Sequence, residues 1–147
     1  MFEPLATKRF VKVTDTRTRV DFAHCIKELV DTHYHHAEKI LLVMDNLNTH
    51  SIASLYQAFP PTEARRLAEK LEIHHTPKHA SWLNMAEIEI SVLARQCLAG
   101  YSVSADVMRC KVNAWQFRRN SACLSVDWQF TTADARIKLK KLYPILT

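Results

Sequence analysis

The sequence predicts an α/β domain, because short strand-like segments alternate with stretches of helical spacing. The apolar run Ile40–Met44 is too short for a free-standing helix and suits a strand that is covered on both faces of a sheet. Asp45 follows this run directly. Open α/β sheets bind ligands beyond the carboxyl ends of their strands, so Asp45 is a candidate functional residue. Starting a turn is an equally simple role for it.

The residues before this strand predict a hairpin and a helix. Residues 1–14 contain an extended segment, a turn at residues 6–8 and a strand over residues 9–14. From Thr18 onward apolar residues recur at helical spacing, and Thr18 with Asp21 resembles a capping box. We expect a helix of about four turns here, followed by the His-rich residues 32–36.

The residues after Asp45 predict several helices and one more strand. Pro60 and Pro61 end a short helix over residues 51–59, and residues 72–76 alternate as a strand does. Residues with capping side chains begin the remaining helices: Thr62, Ser81, Ser104 and either Thr131 or Thr132. Together these elements predict one mixed sheet flanked by helices.

Composition excludes several classes of function. The 147 residues fit one domain with a real core, and 48% of them are hydrophobic. Gly100 is the single glycine, which excludes a glycine-rich phosphate loop. The formal net charge of +5 makes a polyanionic partner plausible. Neither a membrane-spanning stretch nor a signal peptide is present in the pattern, so we expect a cytoplasmic protein without a membrane partner.

A second candidate carboxylate lies in the helix that follows residue 81. At 100° per residue, Glu87 falls on the same side as Leu83, Ile90 and Ala94, which we predict to be buried. Glu89 falls nearly opposite and is predicted to be a solvated surface acid. A salt bridge is the simplest role for Glu87 alone. Paired with Asp45, however, it can help to bind hard divalent cations, which take oxygen ligands.

Cysteine, histidine and tryptophan offer weaker alternatives. The four cysteines lack CxxC spacing, so buried free thiols are expected. A zinc site at two histidine groups is disfavoured because cysteine partners are missing and neighbouring strand residues point to opposite faces. These groups are His33, His35 and His36, and His74, His75 and His79. Trp115 and Trp128 are predicted to be core residues.

Two blocks of sequence carry a family resemblance. VMDNLNTH and IHHTPKHASWLNMAEIEISVLARQCL closely resemble the second and third catalytic blocks of transposases of the DDE endonuclease superfamily. The resemblance is to the insertion-sequence branch related to Tc/mariner elements. It extends over nearly the whole chain, including DFAHCIKELVDTHY and VDWQFTTADARIKLKKLYP.

The resemblance implies an RNase H-like fold in which three acids bind two Mg²⁺ or Mn²⁺ ions for DNA cleavage and strand transfer. Asp45 matches the second acid and Glu87 the third. The supporting positions of the two blocks are matched by Asn46, His50 and Asn84. Met85 departs from the proline that many relatives carry, which should alter the helix start but not the ligand.

The loop before the helix that carries Glu87 suits contact with DNA. Lys78 and His79 are basic or polar and Trp82 is aromatic, so these residues can meet phosphate and base. Packing at the start of the helix is an equally good role for Trp82. A solvated surface is the alternative role for each basic segment, that is, for Lys78-His79, Arg118-Arg119 and residues 138–141.

The first acid of the family has no match. In the family it lies on a strand that precedes the hairpin, so residues 1–147 are expected to form a catalytic domain that is truncated at its N-terminus and inactive alone. The expected partners are transposon-end DNA and a second copy (a homodimer) or full-length transposase. The expected location is the bacterial cytoplasm, with nucleoid association when DNA is bound. The alternative is a non-catalytic fragment that binds DNA or inhibits full-length transposase.

Overall fold

The computed structural model describes residues 1–77, 83–100 and 104–140, and it has a mixed α/β fold. The strands are β1 (Phe2–Glu3), β2 (Lys8–Arg9), β3 (Ile40–Met44) and β4 (Leu71–His75). The helices are α1 (Arg19–Glu28), α2 (Ala53–Ala58), α3 (Pro61–Glu69), α4 (Met85–Cys97), α5 (Ala105–Ser121) and α6 (Thr132–Lys138). A π-helical turn, Leu29–His33, continues α1.

The first group of elements, which we name the sheet half, consists of β3, β4, α1 with its π-helical turn, α2 and α3. β3 and β4 pair in parallel, with Ile40 opposite Leu71 and Met44 opposite His75. Parallel strands need a crossover connection, and α2 with α3 provides it. The apolar sides of the helices meet one face of the strands in a single core. Its buried members are Ala23, Ile26, Leu29, Val30, Leu55, Ala64, Leu67 and Leu71.

The second group, which we name the hairpin half, consists of β1, β2, α4 and α5. β1 and β2 pair antiparallel, and α4 and α5 pack against this hairpin and against each other. Leu93, Val112 and Trp115 form a small apolar core here. Contacts such as the stacking of Phe10 on His33, with ring centroids 3.9 Å apart, connect the two halves.

Several predicted helix starts are confirmed by the capping side chains. Thr18 and Asp21 form the predicted capping box of α1, and Ser104 caps α5. Thr131 caps α6, again with a capping box. Thr62 does not cap α3, because the helix already begins at Pro61, whose fixed φ suits the first helical position.

Other boundaries differ from the prediction. The hairpin turn occupies residues 4–7, and β2 ends at Arg9 instead of extending to residue 14. α4 begins at Met85, because Asn84 accepts a hydrogen bond from the backbone N–H of Ala86. Ser81, the predicted cap, lies outside the described residues.

β3 is covered on one face, so the prediction of a strand covered on both faces is wrong. Ile40 and Leu42 pack on the core of the sheet half, whereas Leu41 is 64% and Val43 47% exposed. Within the described residues, β4 is also the only strand that pairs with β3. One edge of β3 therefore has no neighbouring strand in the described part of the chain.

The remaining composition-based predictions are met in part. All cysteines are free, as expected, but Cys25 and Cys97 are only half-buried, and Cys110 and Cys123 are exposed. Trp115 is a core residue, whereas Trp128 is half-buried and meets Phe130 edge-on. No helix among the described residues is long and apolar enough to cross a bilayer.

Candidate active site

Asp45 lies where the sequence predicts it, directly beyond the carboxyl end of β3. His50 Nδ1 lies 2.6 Å from Asp45 Oδ1, and the backbone N–H of Leu47 donates to the same oxygen at 3.2 Å. Asp45 Oδ2 has no hydrogen-bond partner among the described residues. The side chain is 26% exposed, so this oxygen is available to a ligand.

The loop after β3 is held in place by its own polar side chains. The Asn46 amide donates to the backbone carbonyl of Thr76, just beyond β4. The ring of His50 lies against Phe22, with centroids 4.9 Å apart. Asn46 therefore fixes the backbone directly after Asp45, and His50 fixes the Asp45 carboxylate.

Glu87 lies in the first turn of α4, where the helix dipole favours a carboxylate. Asn84 fixes this turn, since its side chain caps the helix and its carbonyl accepts from the backbone N–H of Glu87 at 2.9 Å. The side chain of Glu87 is half-buried and forms no ion pair with a described residue. Asn84 thus supports Glu87 as Asn46 and His50 support Asp45.

The described residues do not join the two acids into one cluster. α4 packs on α5 and β1, and no hydrogen bond or ion pair among the described residues links Asp45 to Glu87. No group of three His, Cys, Asp or Glu residues in this part of the chain is close enough to hold a metal ion. This applies to the His33, His35 and His36 group; His79 of the other candidate zinc group lies outside the described residues.

The donor chemistry nevertheless fits a hard divalent cation. Mg²⁺ commonly keeps several waters and is held by one or two carboxylates. Asp45 offers one oxygen without a described partner, and Glu87 offers a carboxylate without an ion-pair partner among the described residues. Both are the oxygen ligands that Mg²⁺ and Mn²⁺ prefer.

The prediction that Glu89 is a solvated surface acid is wrong. Glu89 is 6% exposed, and Arg9 Nε and Nη2 donate to its two oxygens at 2.6 and 2.9 Å. Arg119 Nη2 adds a third bond at 3.2 Å. Burial alone would raise the pKa of Glu89, but the hydrogen bonds and charges of Arg9 and Arg119 outweigh it and hold this pKa below its ordinary value.

The helical wheel failed for a physical reason. It placed Ile90 on the buried side, yet Ile90 is 57% exposed, while Glu89, Leu93 and Gln96 face α5 and the hairpin. Two buried arginines neutralise the charge of Glu89. The buried side of α4 can therefore carry a carboxylate near the start of the helix. Arg9 and Arg119 escaped the sequence analysis because no local pattern marks an arginine that is buried by an acid 80 or 30 residues away.

The proposed DNA contacts remain predictions. Lys78, His79 and Trp82 lie outside the described residues. In the Arg118-Arg119 segment, Arg118 is exposed, but Arg119 is 8% exposed and stacks over Trp115. Arg119 is therefore not part of a basic surface.

A parallel strand pair that ends in an acid, followed by a capped helix that carries a second acid, defines an α/β protein with a candidate cation-binding edge. The family comparison agrees, since a model of the DDE superfamily endonucleases matches residues 1–108, which include Asp45 and Glu87. The chain belongs to this family. Its function class is therefore that of a transposase-like nuclease. No curated protein and no solved structure matches the chain significantly.

Proposed function

We propose that residues 1–147 form one domain, part of the RNase H-like catalytic domain of a DNA transposase. The observation that carries this proposal is the family match over residues 1–108, which contains both candidate acids. Asp45 and Glu87 would hold Mg²⁺ or Mn²⁺. When bound, such an ion activates the attacking oxygen and stabilises the leaving oxygen in phosphodiester cleavage and strand transfer.

The same proposal places the family's first acid, which has no match in residues 1–147, on a further strand. The unpaired edge of β3 in the described residues supports it, since a strand edge is normally paired or covered. A strand along this edge would end beside Asp45. Without it, the chain should bind metal weakly and fail to cleave DNA alone.

His50 and Asn84 act on the two acids through hydrogen bonds. His50 holds one oxygen of Asp45 and leaves the other free to bind, while Asn84 fixes the turn of α4 that presents Glu87. Neither residue needs to touch DNA in this role. Lys78, His79 and Trp82 are the residues that we propose to contact the transposon end.

The test is nicking of supercoiled plasmid in Mn²⁺ by the wild-type chain and by Asp45→Ala and Glu87→Ala. Glu72→Ala, an exposed acid on β4, is the matched control. We expect no nicking, together with weak Mn²⁺ binding that Asp45→Ala and Glu87→Ala reduce and Glu72→Ala does not. If the wild-type chain nicks the plasmid and both Asp45→Ala and Glu87→Ala abolish this activity, the proposal that the chain lacks a necessary acid is refuted. Mn²⁺ binding that neither variant changes would refute the role of both acids.

The alternative function is a fragment that binds DNA without cleaving it, or that associates with full-length transposase and inhibits it. The net charge of +5 and the lack of a three-ligand metal cluster among the described residues favour this candidate. Phosphate contacts would weaken binding steeply between 50 and 200 mM salt, roughly tenfold or more for a few contacts. Duplex-DNA affinity that hardly changes over this range would eliminate the DNA-binding form of this alternative.

A further inference from the structure

Glu89 connects several elements of the hairpin half through one carboxylate. Arg9, at the end of β2, binds both carboxylate oxygens, and Arg119 of α5 binds one of them. Arg9 also donates to the backbone carbonyls of Thr7, at 2.7 Å, and Leu124. The hairpin, α4, α5 and the turn after α5 therefore meet at Glu89.

This cluster is too specific to be explained by stability alone. Arg9, Glu89 and Arg119 are 1%, 6% and 8% exposed, and apolar residues of similar volume often stabilise a fold as well as a buried ion pair does. The two parallel bonds from Arg9, however, fix the direction of the Glu89 side chain. An apolar contact has no such directionality.

A second polar contact holds the same side of α4 farther along the helix. Trp115 Nε1 donates to Gln96 Oε1 at 3.0 Å. Gln96 is seven residues after Glu89, so the two side chains lie within about 20° of each other around the helix axis. Glu87 lies about 200° from Glu89 and points away from both contacts. Fixing Glu89 and Gln96 therefore fixes the direction of Glu87 relative to the hairpin and α5.

We propose that Glu89 is a positioning residue, which through Arg9 and Arg119 sets the rotation of α4 and thereby aims Glu87 at the cation site. This inference rests on the proposed role of Glu87 as a metal ligand. A helix rotation of about 20° would move a side chain at the helix surface by about 2 Å. Misplacement by about 1 Å is enough to impair a catalytic constellation severely.

The test follows Mn²⁺-induced broadening of backbone amide resonances in the full chain. Mn²⁺ alone is the probe, and the chain variants are wild type, Glu87→Ala and Glu89→Gln. Val112→Ala is the control, because Val112 is 2% exposed in the same half and does not contact the carboxylate network through a hydrogen bond. We expect broadening around Asp45 and at the start of α4 in wild type. Glu89→Gln should lose the α4 broadening and keep the Asp45 broadening, whereas Val112→Ala keeps both.

The outcomes separate this inference from the proposed function. Wild-type broadening at α4 that survives in Glu89→Gln would refute positioning while leaving Glu87 as a ligand. Wild-type spectra without broadening at α4 would refute the role of Glu87 and the positioning with it. If Glu89→Gln fails to fold, the variant Arg9→Met/Glu89→Leu/Arg119→Met replaces all three charges by apolar groups. Loss of α4 broadening in that folded variant supports positioning, and retained broadening refutes it.

Discussion

The sheet half and the hairpin half are held together by different forces. In the sheet half, apolar side chains fill the core, and the ion pairs of Lys27, Asp31, Glu63 and Arg66 lie on the surface. In the hairpin half the apolar core is small, and the ion pairs of Glu89 lie inside. Three helices and two five-residue strands supply enough apolar side chains for a core in the sheet half, whereas the two-residue strands of the hairpin supply few.

The difference predicts which half depends on single polar residues. Removing one partner of a buried ion pair leaves an uncompensated buried charge, while removing one leucine leaves a cavity that neighbours can partly fill. Replacing a buried arginine should therefore destabilise the hairpin half most, and replacing a buried leucine should destabilise the sheet half most.

Arg9→Met should have the largest effect on stability. It removes the two shortest bonds to Glu89 and leaves that carboxylate with Arg119 alone, at 3.2 Å. We expect the free energy of unfolding to fall by about 4 kcal/mol, the usual cost of breaking a buried ion pair. Urea unfolding at pH 7 measures the change.

Lys8→Met is the matched control for Arg9→Met. Lys8 is the exposed neighbour of Arg9 on β2, and its substitution should change the free energy of unfolding by no more than about 0.5 kcal/mol. Equal effects of the two substitutions would mean that the hairpin half does not depend on the buried cluster.

Leu67→Ala should destabilise the sheet half by about 3 kcal/mol, because Leu67 is fully buried between α3 and the rest of the core. Leu41→Ala is its control, since Leu41 is 64% exposed on β3 and its loss should cost about 0.5 kcal/mol or less. A large cost for Leu41→Ala would show that the outer face of β3 is covered in solution. Thermal unfolding of both variants supplies the comparison.

Sequence patterns predicted the sheet half well because its structure depends on local periodicity. The five apolar residues before Asp45, the alternation around Ile73 and the helical spacing after Thr18 each give their element from neighbouring residues alone. Asp45, Asn46 and His50 also lie within one short loop, so their proximity follows from the chain itself.

The hairpin half could not be predicted in this way, because its core depends on residues that are far apart in sequence. Whether Glu89 or Glu87 faces inward is decided by Arg9, 80 residues earlier, and Arg119, 30 residues later. An interpretation from helical periodicity assumes that apolar residues face the core. In α4 the apolar Ile90 is exposed and the charged Glu89 is buried. The relation between Asp45 and Glu87 is a similar long-range property, which neither periodicity nor the described contacts determine.

The surface ion pairs of the sheet half should make the stability depend on pH only in the acid range. Arg66 donates to both oxygens of Asp31, at 2.8 and 2.9 Å. These bonds, aided by Lys27 against the opposing effect of burial, lower the pKa of Asp31 from 3.8 to about 2. The folded pKa lies below the unfolded one, so the contribution is complete above about pH 4 and is lost as the pH falls through about 2.

Asp31→Asn should therefore flatten the acid limb of the stability curve. At pH 7 the cost should be about 1 kcal/mol or less, as for exposed pairs, and the difference from wild type should shrink between pH 4 and pH 2. Asp106→Asn, which removes an exposed acid from the hairpin half, is the control and should leave the shape of the curve unchanged. Urea unfolding at several pH values tests this. A difference between wild type and Asp31→Asn that stays constant over the whole range would mean that the charge of Asp31 contributes nothing to folding.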